Sequence, residues 1–267
     1  MNDSKLFKFV FPSLIGFLLL YMLPFILGVS YSFLDNMYDK NYVGFHNYFM
    51  ILSSGSFQLA MRNTVIFMVI IIPLNAFISL IFAVLDSYDQ ENFFFKFAII
   101  FPIFVPSTVV SGFFNYTLKM SSITESSVMI FVAILFLWRN VGFGFIVYYF
   151  GLKSRSTELE EAAKIDGASE YNIFRFVTMP LLTPYHIFVF LITSINSLKI
   201  FKDIYALFGS YPNVDIYMIQ NYLFNKTLSS DYPELVSAAV LFLMLAFVII
   251  IATYKWESLY RHRIGEK

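Results

Sequence analysis

A few charged and amide side chains stand inside stretches that are otherwise apolar, and they set the chemistry open to this chain. Arg139 lies in one such stretch, and Asn196, Ser197, Lys199, Lys202 and Asp203 lie close together in another. A charge at the centre of a bilayer costs about 2.5–3.5 kcal/mol on insertion scales, so such ions generally face a water-filled path or a partner group. At about 100° per residue, Asn196 and Lys199 share one helix face. That face can hydrogen-bond and orient a polar solute. Plainer readings stay open beside this one. Arg139 can brace its helix against a neighbour, and Lys202 with Asp203 can form an interfacial pair whose long side chain reaches water.

A second constellation lies between Lys153 and Pro180, where the chain turns polar. Thr157 is placed to cap a short helix, and Glu160 three residues on completes the capping-box pattern. Glu158, Glu160 and Glu161 favour the positive end of that helix. Leu159, Ala162, Ala163 and Asp166 fall on neighbouring positions of one face. Gly167 can leave the helix in a left-handed conformation. Ser169 can cap a second helix with Ile173, Phe174 and Val177 as its apolar stripe, and Pro180 is expected to end it and open the fifth span. The small side chains of Ala162 and Ala163 permit close approach by another surface, and the glutamates beside them can meet arginine there. The alternative is a helical loop that packs only against its own chain.

Other chemistries lack their residues. There is no cysteine, hence no disulfide and no thiol catalysis. His46, His186 and His262 have no metal-like spacing. No Gly-x-x-x-x-Gly-Lys-Ser/Thr phosphate loop is present. A membrane-embedded enzyme would need a catalytic pair at membrane depth, such as Ser with His, two Asp, or a zinc site, and none is found. An ion-coupled carrier would carry carboxylates within its spans, and Asp203 is nearly alone there. A net charge of zero gives no pull toward nucleic acid.

The elements that must hold these residues follow from composition. Of 267 residues, 58% are hydrophobic, 20% aromatic and only 13% charged. Soluble domains carry roughly 25% charged residues, so this chain has too little polar surface to cover itself in water and calls for lipid. A helix crosses a hydrocarbon core with about 20 apolar residues. Such stretches lie near 9–33, 63–85, 95–118, 128–152, 181–207 and 235–255. Helices are expected because each satisfies its own backbone inside lipid. The first stretch is too long for the apolar core of a cleaved signal and reads as a retained span. Pro24, Pro73, Pro102, Pro106 and Pro184 sit in or beside spans, either as hinges or as ordinary membrane-helix prolines.

Lysine and arginine set orientation. One side holds Lys5, Lys8, Lys96, Lys153, Arg155, Lys164, Arg175, Lys255, Arg261, Arg263 and Lys267; the other holds Lys40, Arg62, Lys119 and Lys226. The richer side is expected to be cytoplasmic, with both termini on it. The fold class expected is an all-α polytopic membrane protein with six transmembrane helices.

Glu161-Ala162-Ala163, Asp166-Gly167-Ala168, Phe174 and Met179-Pro180 together resemble the EAA loop of binding-protein-dependent ABC importer permeases. Further matches run along nearly the whole chain: Phe11-Pro12-Ser13-Leu14 and Tyr31-Ser32-Phe33; Val43 to Tyr48; Arg62-Asn63-Thr64; Phe101-Pro102; Ser197 to Phe201 and Ile204 to Leu207. The set is similar to the sugar branch, near the larger maltose permease and the glycerol-phosphate permease. It departs in a short connection between spans three and four, in Gly209-Ser210-Tyr211-Pro212 where Gly-Gly-Pro is usual, and in Lys202 where aspartate is common.

The resemblance implies a type I importer permease without catalytic or metal residues. It implies a second homologous permease as a heterodimer partner, two ATPase subunits that bind ATP and magnesium, and a solute-binding protein outside. Residues 1–60 would be a first helix and outer loop, 61–258 the transport core with its coupling loop at 153–180, and 259–267 a cytoplasmic tail. Glu161, Ala162, Ala163, Asp166, Gly167 and Ala168 would engage the ATPase. Asn196, Ser197, Lys199 and Arg139 would lie on the solute path. The solute implied is a carbohydrate or related polyol; another solute class remains the alternative.

Overall fold

The computed structural model of the chain describes residues 3–36, 41–88, 92–118, 127–154 and 158–263. Among them the fold is all-α. Four helices are long and apolar enough to cross a membrane without a break: Val10–Tyr31, Gly55–Ser87, Val128–Ser154 and Tyr232–Leu259. Two further candidates are bent pairs, Phe93–Phe104 with Ser107–Phe114 at 94° and Glu170–Leu181 with Thr183–Phe208 at 63°. Counting each pair as one span gives the six expected.

The prolines explain the two bends but not every helix. Phe93–Ile100 (α5) tightens into a 3-10 turn at Phe101–Phe104, and Ser107–Leu118 (α6) starts again after Pro106. Proline lacks an N–H and clashes with the preceding turn, so Pro102 and Pro106 break the third span. Pro180 does not end its helix. The chain runs through it by way of a π turn at Phe174–Thr178 and the short helix Met179–Leu181, and bends at Leu182, just ahead of Pro184. Pro73 by contrast sits inside an unbroken 34-residue helix.

The chain forms two compact units. The first takes residues 1–59 and 222–245. Its opening span consists of Asp3–Phe17 (α1), a π turn at Leu18–Met22 and Leu23–Tyr31 (α2), and neither of the last two buries a residue within the chain. Beyond it the helix His46–Ser53 (α3) is tied back through Asn47, whose Nδ2 donates to the carbonyls of Ser32 at 2.9 Å and Leu34 at 2.8 Å. The Ser32 and Tyr48 hydroxyls bond at 2.7 Å, and Phe33 packs among Tyr42, Phe45 and Tyr48. This helix falls within residues 1–60, where the resemblance implies an outer loop, and a further short helix, Ile219–Leu228 (α13), follows the fifth span. Both are too short and too mixed for a membrane pattern, and they are held by polar anchors.

The second unit takes residues 60–221 and 246–267. It contains most of Gly55–Tyr88 (α4), then α5, α6, Val128–Ser154 (α7), Glu158–Ile165 (α8), Glu170–Ile173 (α9), Met179–Leu181 (α10), Thr183–Leu198 (α11) and Phe201–Phe208 (α12), together with the later part of Tyr232–Arg263 (α14). Two apolar clusters form its core. One gathers Phe67, Met68, Ile71, Val132, Phe136, Ile200 and Ile204; the other gathers Ala76, Leu80, Phe145, Tyr148, Leu182 and Val189. Helix α7 contributes to both.

Candidate functional site

Helix α7 is packed on several sides through glycine. A Cβ at Gly142 would stand 2.3 Å from the carbonyl oxygen of Ile99 on α5, and one at Gly144 would stand 2.4 Å from Ser79 Oγ on α4. At Gly151 it would meet the Tyr185 ring of α11 at 2.8 Å. Helices in lipid gain cohesion by such close backbone approach. Polar bonds add to it: Ser79 Oγ donates to the Val141 carbonyl at 3.0 Å, and Asn75 Nδ2 donates to Thr193 Oγ1 at 3.0 Å. Tyr148 OH and His186 Nδ1 bond at 2.8 Å. The register of α7 is therefore set tightly, and with it the positions of Arg139 and Asn140, less than one turn before Gly142.

These two residues open onto a cavity of about 280 Å³, lined by Ile103, Ser107, Phe136, Arg139, Asn140, Asn196, Lys199, Lys202 and Asp203. The bends make it. The break at Val105–Pro106 turns Ser107 toward α7, and the junction of α11 with α12 places Lys199 at a helix end and Asp203 in the next first turn. Arg139 Nη1 donates to Asp203 Oδ1 at 2.5 Å and to Ser107 Oγ at 2.8 Å, and Nη2 reaches the Val105 carbonyl at 3.4 Å. Both ions are only slightly exposed, at 20% and 16% of their side-chain surface. Charge-assisted pairs of this kind are the stronger hydrogen bonds. Asn196 Nδ2 donates to Asn140 Oδ1 at 2.8 Å, and Asn140 Nδ2 donates to the Phe136 carbonyl at 2.8 Å. The arrangement offers amide and ammonium groups to a polar molecule. It holds no nucleophile–base pair, and no group of metal-ligating side chains occurs among the described residues.

Arg139, Asn196 and Lys199 thus come together. Ser197 does not join them: it is buried, and its hydroxyl donates to the Ser194 carbonyl at 2.8 Å. Lys202 and Asp203 form no interfacial pair. Asp203 turns to Arg139, and both residues line the cavity. Asn140 and Ser107 escape the reading of single stretches. The adjacency Arg139-Asn140 in an apolar run was the available signal for the first, whereas Ser107 depends on the bend.

The second constellation stands apart along the chain. Thr157 lies outside the described residues. Helix α8 follows at Glu158 and buries none of its residues; Leu159 is 54% and Ile165 86% exposed. Its end is a full Schellman turn. Gly167 has φ +82, its N–H donates to the Lys164 carbonyl at 3.0 Å, and the Ala168 N–H donates to the Ala163 carbonyl at 2.9 Å. Ser169 Oγ then accepts from the Asn172 N–H at 3.4 Å and caps α9. Ile173 is buried, with Phe174 and Val177 half-buried. One strong link joins α8 to the fifth span: Thr178 Oγ1 donates to Glu160 Oε1 at 2.7 Å. Lys164 and Glu170 form an exposed pair at 3.1 Å. Glu161, Ala162, Asp166 and Gly167 are all exposed, and Ala163 and Ala168 partly so.

Known proteins are similar to this chain. The trehalose/maltose transport system permease MalF of Thermococcus litoralis is 28% identical over 233 residues, covering 79% of each chain. The multiple sugar-binding transport system permease MsmF of Streptococcus mutans is 27% identical over 277 residues, covering 94% of each. A chain of the crystal structure of a bacterial ABC transporter that imports the acidic polysaccharide alginate has the same fold, with a TM-score of 0.79 at 19% identity over 97% of this chain and 96% of that one. The family model for binding-protein-dependent transport system inner membrane components matches residues 92–261, well over half of the chain. Because that match takes in the cavity and the α8–α9 loop together, the chain belongs to this family: it is a multi-pass permease subunit of an inner membrane importer, a transport chain and not a catalytic one.

Proposed function

We propose that this permease conducts a carbohydrate across the cytoplasmic membrane by alternating access, driven by ATP hydrolysed on separate subunits. One observation carries the reading: a polar cavity at one end of the fifth span and a bare acidic helix at its other end lie within one compact unit. The connection between them is continuous. Glu160 of α8 grips Thr178, the π turn runs into α10 and α11, and α11 ends at the residues that line the cavity.

In this reading α8 and the Schellman turn seat in a cleft of an ATPase subunit, and Glu161 pairs with an arginine there. Ala162 and Ala163 allow the close approach, while Asp166, Gly167 and Ala168 shape the turn. Closure of two ATPases on ATP and magnesium moves the loops of two permeases together and swings the spans as rigid bodies. The second permease is a related but different chain, and a solute-binding protein delivers solute outside. Both termini lie in the cytoplasm, on the side rich in lysine and arginine. Residues 61–258 form the transport core, 1–60 an added first helix with its outer loop, and 259–267 a tail. Sugar hydroxyls are met by Asn140 and Asn196, with Arg139 holding the wall and Lys199 at the edge; Ser197 supports the turn from behind. The sugar-transport relatives support the solute class. An ion-coupled carrier needs carboxylates within its spans, and Asp203, the one acidic side chain in the lining, is paired with Arg139.

The test is co-purification followed by reconstitution. The chain should bring down a second permease and an ATPase, and a sugar-loaded binding protein should stimulate ATP hydrolysis in proteoliposomes. Solute uptake that persists with no ATPase in the preparation would overturn the proposal.

A further inference from the structure

We infer that the cavity is built for an anionic carbohydrate, one that carries a carboxylate or a phosphate, and that Lys199 and Lys202 meet its charge. The inference rests on the carbohydrate-permease reading above and names the solute class of the same site.

The charge count of the lining leads there. Arg139, Lys199, Lys202 and Asp203 line the cavity, three cations against one anion. Asp203 is already taken up by Arg139, which also donates to Ser107 and Val105. Neither lysine makes an ion pair with any described residue, and Asp203 is the one acidic side chain in the lining. The cavity therefore keeps two uncompensated positive charges.

Their placement adds to this. Lys199 and Lys202, both exposed, stand three residues apart at the junction of α11 with α12, and their like charges repel. An incoming anion relieves the repulsion between the two lysines. A neutral sugar would not need them: the amides of Asn140 and Asn196 already supply donors and acceptors for hydroxyls. The residue type also fits passage rather than capture. An ammonium on a flexible stem is a point charge without the fixed fork of arginine, so it can hold an anion and release it as the path changes shape.

The experiment uses the complete transporter, with its partner permease, ATPase and binding protein, in proteoliposomes. Uptake of maltotriose, trigalacturonate and glucose 6-phosphate is compared for the unaltered complex, for Lys199→Gln with Lys202→Gln, and for Lys199→Arg with Lys202→Arg. The unaltered complex should favour one anionic probe over maltotriose at least tenfold. The glutamine variant should lower that ratio at least tenfold, and the arginine variant should recover most of it. A response to trigalacturonate alone identifies a carboxylate, and one to glucose 6-phosphate alone a phosphate. Maltotriose uptake equal to or above both anions, with the ratio unmoved in the glutamine variant, overturns the anionic solute and leaves the carbohydrate reading standing. Loss of the partner permease from the purified glutamine variant would also overturn it, because the lysines would then be pairing across subunits. Failure of all three sugars, while a non-sugar solute stimulates the ATPase, overturns both readings.

Discussion

The cavity beside α7 and the exposed helix α8 are both rich in ionised groups, and they treat them differently. In the cavity, Arg139 and Asp203 face each other with most of their surface removed from solvent, and a glycine-packed helix holds one of them in place. On α8 three glutamates crowd the first turn, no residue is buried, and the hydrogen bond of Glu160 to Thr178 ties the helix to the fifth span. A pair enclosed by its own chain positions a wall. A charged, apolar-edged helix left bare has its surface open, as the proposed contact with an ATPase requires. The difference teaches that burial and partner, more than charge itself, separate the two regions, and under the proposed function they separate a path from a handle.

The comparison can be broken at several points. The largest effect is expected at Gly142→Ala, which would press a methyl group against the Ile99 backbone. Overpacking typically costs about 1–3 kcal/mol and sometimes more, and here the obstacle is backbone. A sharp fall in folded protein recovered from membranes is the expected result, and normal yield with unchanged melting in detergent would refute the tight register of α7. Next comes Glu161→Lys. Under the proposed contact like charges would then meet at the ATPase, so uptake should fall at least tenfold while the isolated permease melts as before; unaltered uptake would overturn the role proposed for Glu161.

Asp203→Ala follows. It leaves Arg139 without its counter-ion, at a cost below the roughly 3–5 kcal/mol of a fully enclosed pair, because both side chains keep some exposure. Stability should drop measurably, and Asp203→Ala combined with Arg139→Gln should recover part of the loss. No recovery in the double variant would show that the two ions do not act as a pair.

A smaller change is expected at Gly167→Ala. An L-residue in the left-handed region costs about 1–2 kcal/mol, and nothing else crowds that position. The strain should loosen the turn between α8 and α9, seen as faster amide exchange at residues 164–168. The smallest is Thr178→Val, which removes one hydrogen bond of about 0.5–1.5 kcal/mol. Its mark is a looser ratio of ATP hydrolysed to solute moved, with assembly intact; an unchanged ratio would mean that motion does not pass through Glu160.

Much of the handle was legible along the chain because it is made of local rules. A glycine after an alanine-rich turn, a serine two residues on, and an apolar stripe behind them are interactions within a few residues of one another. The observed φ of Gly167, the cap at Ser169 and the burial of Ile173 follow directly. The cavity was legible only in pieces. Asn196 and Lys199 share a helix face by spacing, yet the partner of Asp203 lies 64 residues away, and no periodicity reports that. The alternative that Lys202 and Asp203 pair with each other near the interface gave way because Asp203 turns to Arg139. The end assigned to the helix at Pro180 lies two residues early: a π turn at Phe174–Thr178 precedes the proline, which stands in the first turn of α10, and the bend falls at Leu182.

Composition and apolar run length alone determined that this chain is helical, lies in a membrane and presents a polar loop between its fourth and fifth spans, because water and lipid act on every residue by its own chemistry. Only the tertiary structure decided where the third and fifth spans bend, which charge neutralises which, and that Asn140 and Ser107 belong with Arg139. Those outcomes depend on the distance between groups remote in the chain, and that distance is set by how closely α7 can approach α4, α5 and α11.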